Sequence, residues 1–344
     1  MWLVSARDLQ FRARRFVIAV IVVSAVFGIA LAMDGMKRAV QDEGPSIVAS
    51  FGADEWLVAK GATGPFTSTK VLPAATADEV RGAKEADPVV LSRSAIAAAK
   101  PRDVNLIGHV PGGLGAPEVA TGRAVKAPGE VVLSSGTPEK VGDTVVIGGN
   151  RFTVVGKSSG GRYFFGVPTA FVDLADAQQI VYNGAELASA IAVKGTAAPL
   201  SGTTVYPDDE VADDLKRPLE GGLQSIVITT LMMWVIAAGI IGLIVYLSAI
   251  ERTRDFAVFK ATGAPNRIIV GGLMIQAIIV ALLAAVIGVP LSILIGAGMP
   301  TTSGLSASSA VQLIVIAVVV GVLASLAAVR KALTTDPAVA FGGK

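Results

Sequence analysis

Gly156-Lys157-Ser158-Ser159-Gly160 has the G-x-S-x-G spacing of a nucleophile elbow, in which Ser158 would attack an acyl carbon. That chemistry needs a helix directly after the turn and a histidine further along the chain to take the serine proton. Neither follows. Arg162–Val167 reads as a strand, and the one histidine, His109, lies upstream in a Gly- and Pro-containing segment that reads as a loop. Gly156–Gly160 therefore reads as a turn. Cysteine is absent, which excludes a thiol nucleophile, a disulfide framework and Cys-based zinc or iron–sulfur sites; a single histidine excludes a poly-His metal centre. There is no G-x-x-x-x-G-K-[ST] phosphate loop and no H-E-x-x-H pair. The acidic run Asp208–Glu220 carries oxygen ligands of the kind calcium takes, but not at EF-hand spacing, and reads as a solvated connector. No cofactor and no metal are expected on this chain, and ATP hydrolysis is not expected of it.

The segment that invites a function is Glu251–Arg267, ERTRDFAVFKATGAPNR. Glu251–Ala261 is expected to form about three helical turns, with Phe256 and Phe259 on one face and Lys260 one turn after Phe256. Gly263 supplies a left-handed stop and Pro265 blocks continuation. A short helix with two exposed aromatics suits docking to a partner. It equally suits lying on lipid headgroups with its arginines toward phosphate. The residues alone leave both open.

What must position that segment is membrane. Of 344 residues, 52% are hydrophobic and 16% charged, against roughly 25% charged in an ordinary soluble domain. Charge is missing from Phe16–Met33, Gly221–Ile250 and Ile268–Val329. The last is too long for one crossing of about 20 residues, and it divides at the small, polar, Pro-containing stretch Gly296–Ser309. Four spans are expected, at 16–33, 221–250, 268–295 and 310–329. Ala30-Leu31-Ala32 also resembles a signal cleavage site, but the apolar run exceeds the ~7–15 residues of a signal core, which favours a retained anchor. Arg7, Arg12, Arg14 and Arg15 precede the first span; Arg252, Arg254, Lys260 and Arg267 separate the second and third; Arg330 and Lys331 follow the fourth. These three sets fall on one side of a four-span chain, which makes that side cytoplasmic. Both termini are then cytoplasmic, with residues 1–15 a basic amphipathic helix, 251–267 a cytoplasmic loop and 330–344 a cytoplasmic tail. Residues 296–309 form a short outer loop. Residues 34–220 lie outside, with 18 basic and 23 acidic side chains. A net charge of +2 gives no reason to expect nucleic acid as a partner.

The spans contain no Asp, Glu, Lys, Arg or His, which argues against charged coupling residues and a proton- or ion-driven pump. Small residues recur at four-residue spacing: Ser24, Gly28 and Ala32; Ala277, Ala281 and Ala285; Ala317, Gly321 and Ser325. Such faces let helices approach closely in lipid. Gly288 and Pro290 are expected to kink or end the third span. In 34–220, Val145–Ile147 and Phe152–Val155 flank Gly148-Gly149-Asn150, a hairpin signal. Glu130–Leu133 and Ala190–Val193 read as strands, and Ala75–Ala86 and Leu174–Tyr182 as short helices. The expected fold class is a membrane protein of four transmembrane α-helices with a large α/β extracytoplasmic domain between the first and second.

The loop reads Glu251-Arg252-Thr253-Arg254-Asp255-Phe256-Ala257-Val258-Phe259-Lys260-Ala261-Thr262-Gly263, and it resembles the E-R-x-R-[ED]-hydrophobic-x-x-hydrophobic-K-A-x-G segment between spans of MacB/FtsX-like ABC permeases. Asp255 stands where Glu is more usual. Ala6–Met33 resembles that family's basic first helix. Gly142-Asp143-Thr144 with Phe152–Gly156 resembles its outer-domain pattern, and Asp336-Pro337-Ala338 its C-terminal ending. Gly52–Val58 and the ERTRDFAV core resemble the DevC-like subgroup.

The resemblance implies the permease subunit of a type VII ABC system in the bacterial plasma membrane. ATP and Mg would sit on a separate ABC ATPase, and two permease chains, identical or not, would pair with two ATPase chains. Glu251, Arg252, Arg254, Asp255, Phe256, Phe259, Lys260 and Gly263 would form the coupling helix, with Phe256 and Phe259 as anchors in the ATPase groove and Arg252, Arg254 and Lys260 at its rim or on lipid. ATPase closure would then drive export or mechanotransmission through the second span to the outer domain. The alternative is a non-transporting FtsX-like regulator of a cell-wall enzyme. An importer would show a short outer region, and a membrane-anchored hydrolase would depend on Ser158.

Overall fold

The computed structural model describes residues 13–333 except 99, 161, 164–165, 264 and 298–306. Most of the expected N-terminal amphipathic helix, most of the 296–309 loop and most of the 330–344 tail, with its Asp336-Pro337-Ala338, lie outside the described residues. The chain forms two compact units, residues 1–38 with 222–344, and residues 39–221.

The first unit is helical: α1 (Ala13–Ala49) through Arg38, then α5 (Glu220–Glu251), α6 (Thr253–Ala261), α7 (Asn266–Gly296) and α8 (Ala307–Leu333). Among the described residues, three helical stretches are long and apolar enough to cross a membrane: Phe16–Ala49, Asp208–Glu251 and Asn266–Gly296. In α8, Val311–Leu326 is a shorter apolar stretch. Ala30-Leu31-Ala32 sits mid-helix, and α7 continues through Pro290 to Gly296, so, of the kink or end expected at Gly288 and Pro290, the helix does not end there. A proline removes one ladder hydrogen bond, but the apolar run on either side keeps the helix going.

The small-residue faces lie inside the bundle. Ser24, Gly28, Ala32, Ala277, Ala281, Ala285, Ala317, Gly321 and Ser325 are all buried. A side chain at Gly28 would meet Leu291 at 3.0 Å, one at Gly288 would meet Phe27 at 3.0 Å, one at Gly242 the Ala324 carbonyl at 3.0 Å, and one at Gly321 the Ile278 backbone at 3.1 Å. At Gly242, Gly288 and Gly321 the crossings are set by backbone approach, as packing in lipid favours, while Gly28 makes room for the Leu291 side chain. Gln276 Nε2 donates to Ser248 Oγ across 3.3 Å, a buried polar link between α7 and α5.

The second unit is α/β. Its strands are β1 (Glu55–Ala59), β2 (Leu72–Pro73), β3 (Ala83–Ile96), β4 (Arg102–His109), β5 (Val119–Gly122), β6 (Glu130–Ser134), β7 (Thr144–Ile147), β8 (Asn150–Ser158), β9 (Arg162–Tyr163), β10 (Val167–Asp173), β11 (Leu187–Ala188), β12 (Ala190–Gly195) and β13 (Thr203–Pro207). Its helices are α2 (Thr76–Glu79), α3 (Leu174–Tyr182) and α4 (Asp208–Lys216), with the end of α1. Among the described residues the main sheet runs β13-β1-β12-β3-β4-β10-β6-β8-β5; β7 pairs with β3 and β8, and β9 with β10. The β10–β4 and β6–β8 pairs are parallel.

Local chemistry explains the turns. The β7–β8 hairpin closes on Gly148 (φ 55°) and Gly149 (φ 85°), the double left-handed geometry of a type I′ turn. Helix α3 begins on Asp173, whose carboxylate accepts from Ala175 N, and ends on left-handed Asn183. The helix expected over Ala75–Ala86 shrinks to α2. Val80 turns extended, and from Ala83 the chain pairs with β12, so sheet pairing overrides the local helix preference.

Asp208–Glu220 is likewise not a solvated connector. Val211, Ala212 and Leu215 of α4 are buried in one cluster with Ile47, Val48, Phe51 and Trp56. Asp214 is fully buried and accepts from Phe66 N at 3.0 Å, Thr67 N at 3.2 Å and the Thr67 hydroxyl. The apolar spacing of 211, 212 and 215 gives the helix an inner face, which the acidic composition hides.

Candidate functional site

The structure does not bring Ser158 and His109 together. Ser158 ends β8, is buried, and its hydroxyl donates to the Gly160 carbonyl at 2.6 Å. Lys157 Nζ donates to the Thr137 carbonyl at 3.0 Å, and burial pulls its pKa down. His109 is not in a loop: it ends β4 and is fully buried. Two strands, β10 and β6, stand between β4 and β8, which at about 4.8 Å per strand keeps base and nucleophile far apart. Among the described residues no group of three or more acidic, His or Cys side chains is arranged to hold a metal.

His109 instead has a structural consequence. Nδ1 lies 2.9 Å from the Val110 carbonyl, to which it donates, while Nε2 is buried with no hydrogen-bond partner among the described residues. Burial lowers its pKa below the ordinary value of 6.5, against the opposing Val110 carbonyl, Asp173 and Asp87. A histidine harder to protonate in the fold than in the unfolded chain stabilises above pH 6.5, and that stability is lost as pH falls from there toward the folded pKa. The thermal midpoint of the full chain should therefore fall between pH 7.5 and 5.5 more steeply than that of His109→Asn. Parallel profiles would refute this reading.

The loop expected to dock a partner is built as follows. α5 ends at Glu251, Arg252 makes the corner, and α6 covers Thr253–Ala261. The helix expected to begin at Glu251 is thus divided, with Phe256 N bonding back to the Arg252 carbonyl at 2.9 Å. Thr262 N caps the Val258 carbonyl at 3.0 Å, and Gly263 takes φ 84°, a conformation that side-chain-bearing residues avoid. Pro265 then starts α7.

The two aromatics part company. Phe256 is 6% exposed and belongs to the same buried cluster as Val245, Ala249, Ile269 and Leu273; Ala257 is fully buried. Phe259 and Val258 are each 45% exposed. At 100° per residue, 256 and 257 centre on the inner face and 258 and 259 on the opposite one. The expectation of Phe256 as an exposed anchor is corrected: it fastens α6 to the helical unit. Glu251, Arg254, Asp255 and Gly263 are exposed, and Arg252 is partly buried. Burial lowers the Arg252 pKa, with Asp255 opposing. The side chain of Lys260 lies outside the described residues. Val258 is the exposed residue that spacing overlooked; its place on the far side of the helix from the Phe256–Ala257 pair was the available signal.

A model of the MacB-like periplasmic core domain matches residues 17–209, and one of the FtsX-like permease C-terminal region matches residues 227–337. The chain belongs to the MacB/FtsX-like family of ABC transporter permeases. A protein of Mycobacterium bovis described as an uncharacterized ABC transporter permease is 38% identical to this permease over 352 residues, covering 100% of both chains. A Mycobacterium tuberculosis protein described in the same words is 36% identical, again over 100% of both. Among solved structures, the extracellular domain of the noncanonic ABC-type transporter YknZ from Gram-positive bacteria aligns at 15% identity and a TM-score of 0.33, covering 42% of this chain and 84% of that one. Its family and its long apolar helices make this permease a multi-pass membrane protein, and it carries a large α/β domain.

Proposed function

We propose that this permease is the four-span membrane subunit of an ABC system whose ATPase is a separate chain carrying ATP and Mg, and that α6 is the contact between them. The carrying observation is the two-sidedness of α6: Phe256 and Ala257 are packed into the helical unit, while Val258 and Phe259 are presented to solvent beside Arg254 and Asp255. A helix fixed on one face and open on the other suits transfer of force better than a loosely floating interfacial helix does. The arginines around it support a cytoplasmic placement of this loop and of both termini. The α/β domain is then extracytoplasmic, α8 is the fourth span, and two permease chains pair around two ATPases. Motion of α6 passes through α5 to the α/β domain, for export or mechanotransmission. The absence of a phosphate loop from the sequence supports a separate ATPase.

Tagged permease purified from its native membrane is expected to bring down a P-loop ATPase, and the pair to hydrolyse ATP while the permease alone does not. Hydrolysis by the permease alone, or purification with no ATPase, would overturn the reading.

A further inference from the structure

The helical unit contains a cavity of about 220 Å³ among α1, α5 and α8. Its wall is amphipathic. Leu31, Trp234 and Leu313 supply apolar surface; Asp34, Lys37 and Thr230 supply polar groups. Asp34 and Lys37 follow directly on the uncharged run that ends at Met33, so the polar end lies where the apolar segment of α1 gives way to charge.

The polar groups are not equally engaged. Asp34 is paired with Arg38 at 2.6 Å, and Arg38 also donates to Gln312 Oε1 at 2.7 Å, tying α1 to α8. The carboxylate charge is thereby met within the protein. No hydrogen bond or ion pair among the described residues engages the half-buried Lys37 ammonium. Thr230 Oγ1 is buried and likewise has no partner among them. A buried hydroxyl without a partner is a costly feature unless a ligand or water completes it. An ammonium and a hydroxyl, both donors, beside a neutralised carboxylate call for an anionic acceptor.

The volume limits what enters. Cavities that enclose a drug-sized ligand are about 300–1,000 Å³, so this one takes a head group and the first carbons of a chain. Val227 and Leu231 also line the cavity, and at 46% and 56% exposed they carry apolar surface outward from it. We propose that this cavity binds the head of a single-chain amphiphile bearing a carboxylate or phosphate. Lys37 and Thr230 would hold the anion, Leu31, Trp234 and Leu313 the proximal chain, and the remaining chain would lie along Val227 and Leu231 in lipid. This deepens the permease reading by naming the class of compound handled.

The test uses the full-length permease in a neutral alkyl-maltoside, with diazirine-bearing palmitate, a diazirine-bearing lysophosphatidic acid and a diazirine-bearing alkylamine as probes. After photolysis, peptide mass spectrometry should find saturable labelling at Leu31, Trp234 or Leu313 with an anionic probe and none with the amine. The acid that labels at lower concentration identifies carboxylate or phosphate as the head. Lys37→Gln and the near-isosteric Thr230→Val should each raise the half-saturating concentration by about tenfold, while the ATPase still co-purifies with both. Labelling that fails to saturate, is equal for acid and amine, or is unchanged in Lys37→Gln overturns the proposal. Co-purification of the ATPase reports separately on the permease reading, so the two can fail independently.

Discussion

Phe259→Asp should abolish co-purification of the partner ATPase while leaving the yield and thermal midpoint of the permease close to those of the unmodified chain. An aromatic anchor at an interface centre contributes about 2 kcal/mol or more on truncation, which is roughly a thirtyfold loss of affinity, and a carboxylate in its place adds desolvation. Because Phe259 is 45% exposed in the permease alone, the fold has little to lose. Phe256→Asp should behave oppositely. It places a charge in the cluster that holds Val245, Ala249, Ile269 and Leu273, so the permease itself should be destabilised or expressed poorly. Val258→Asp should follow Phe259→Asp, and Arg254→Ala should weaken binding less, as rim charges do. Retention of the ATPase by Phe259→Asp, in a permease of normal stability, would remove α6 as the docking element.

The second large effect belongs to Asp214. Its carboxylate serves Phe66 N, Thr67 N and the Thr67 hydroxyl from a fully buried position. Asp214→Ala would strand these donors at a site sealed from solvent, a loss of about 3 kcal/mol or more. For a domain of this size that lowers the melting midpoint by about 6–12 °C. Asp213→Ala, one residue earlier, is the internal comparison. Its side chain is 74% exposed and pairs with Lys216 at 3.0 Å, an arrangement whose removal costs at most about 1 kcal/mol. Equal melting points for the two variants, followed by intrinsic tryptophan fluorescence, would show that the Asp214 contacts do not carry the fold.

These two sites also mark where sequence was informative and where it was not. The apolar runs, the Gly148-Gly149 hairpin, the Leu174–Tyr182 helix, the left-handed Gly263 and the buried small-residue faces were all legible, because each depends on local composition or a fixed period. The inner face of Asp208–Lys216 was masked by its surface acids; its meaning depends on a loop about 150 residues earlier in the chain, which no local pattern reports. Phe256 and Phe259 looked alike because a spacing of three leaves them about 60° apart, and only the packed helices decide that the boundary of the inner face falls between them. His109 sat in a segment of turn-forming residues, yet long-range pairing of β4 with β10 drew it into the sheet. The Lys37–Thr230 cavity was invisible for the same reason: its walls come from three helices distant in sequence.

The crossings at Gly242, Gly288 and Gly321 bring backbones together with little flexible side chain between them. Long side chains at such seams would act as springs, changing rotamer and dissipating a displacement within the bundle. Here that cushioning layer is thin, so a push delivered at one helix end would arrive at the other mostly as whole-helix translation. If the permease transmits ATPase motion as proposed, its glycines set the mechanical efficiency of the stroke.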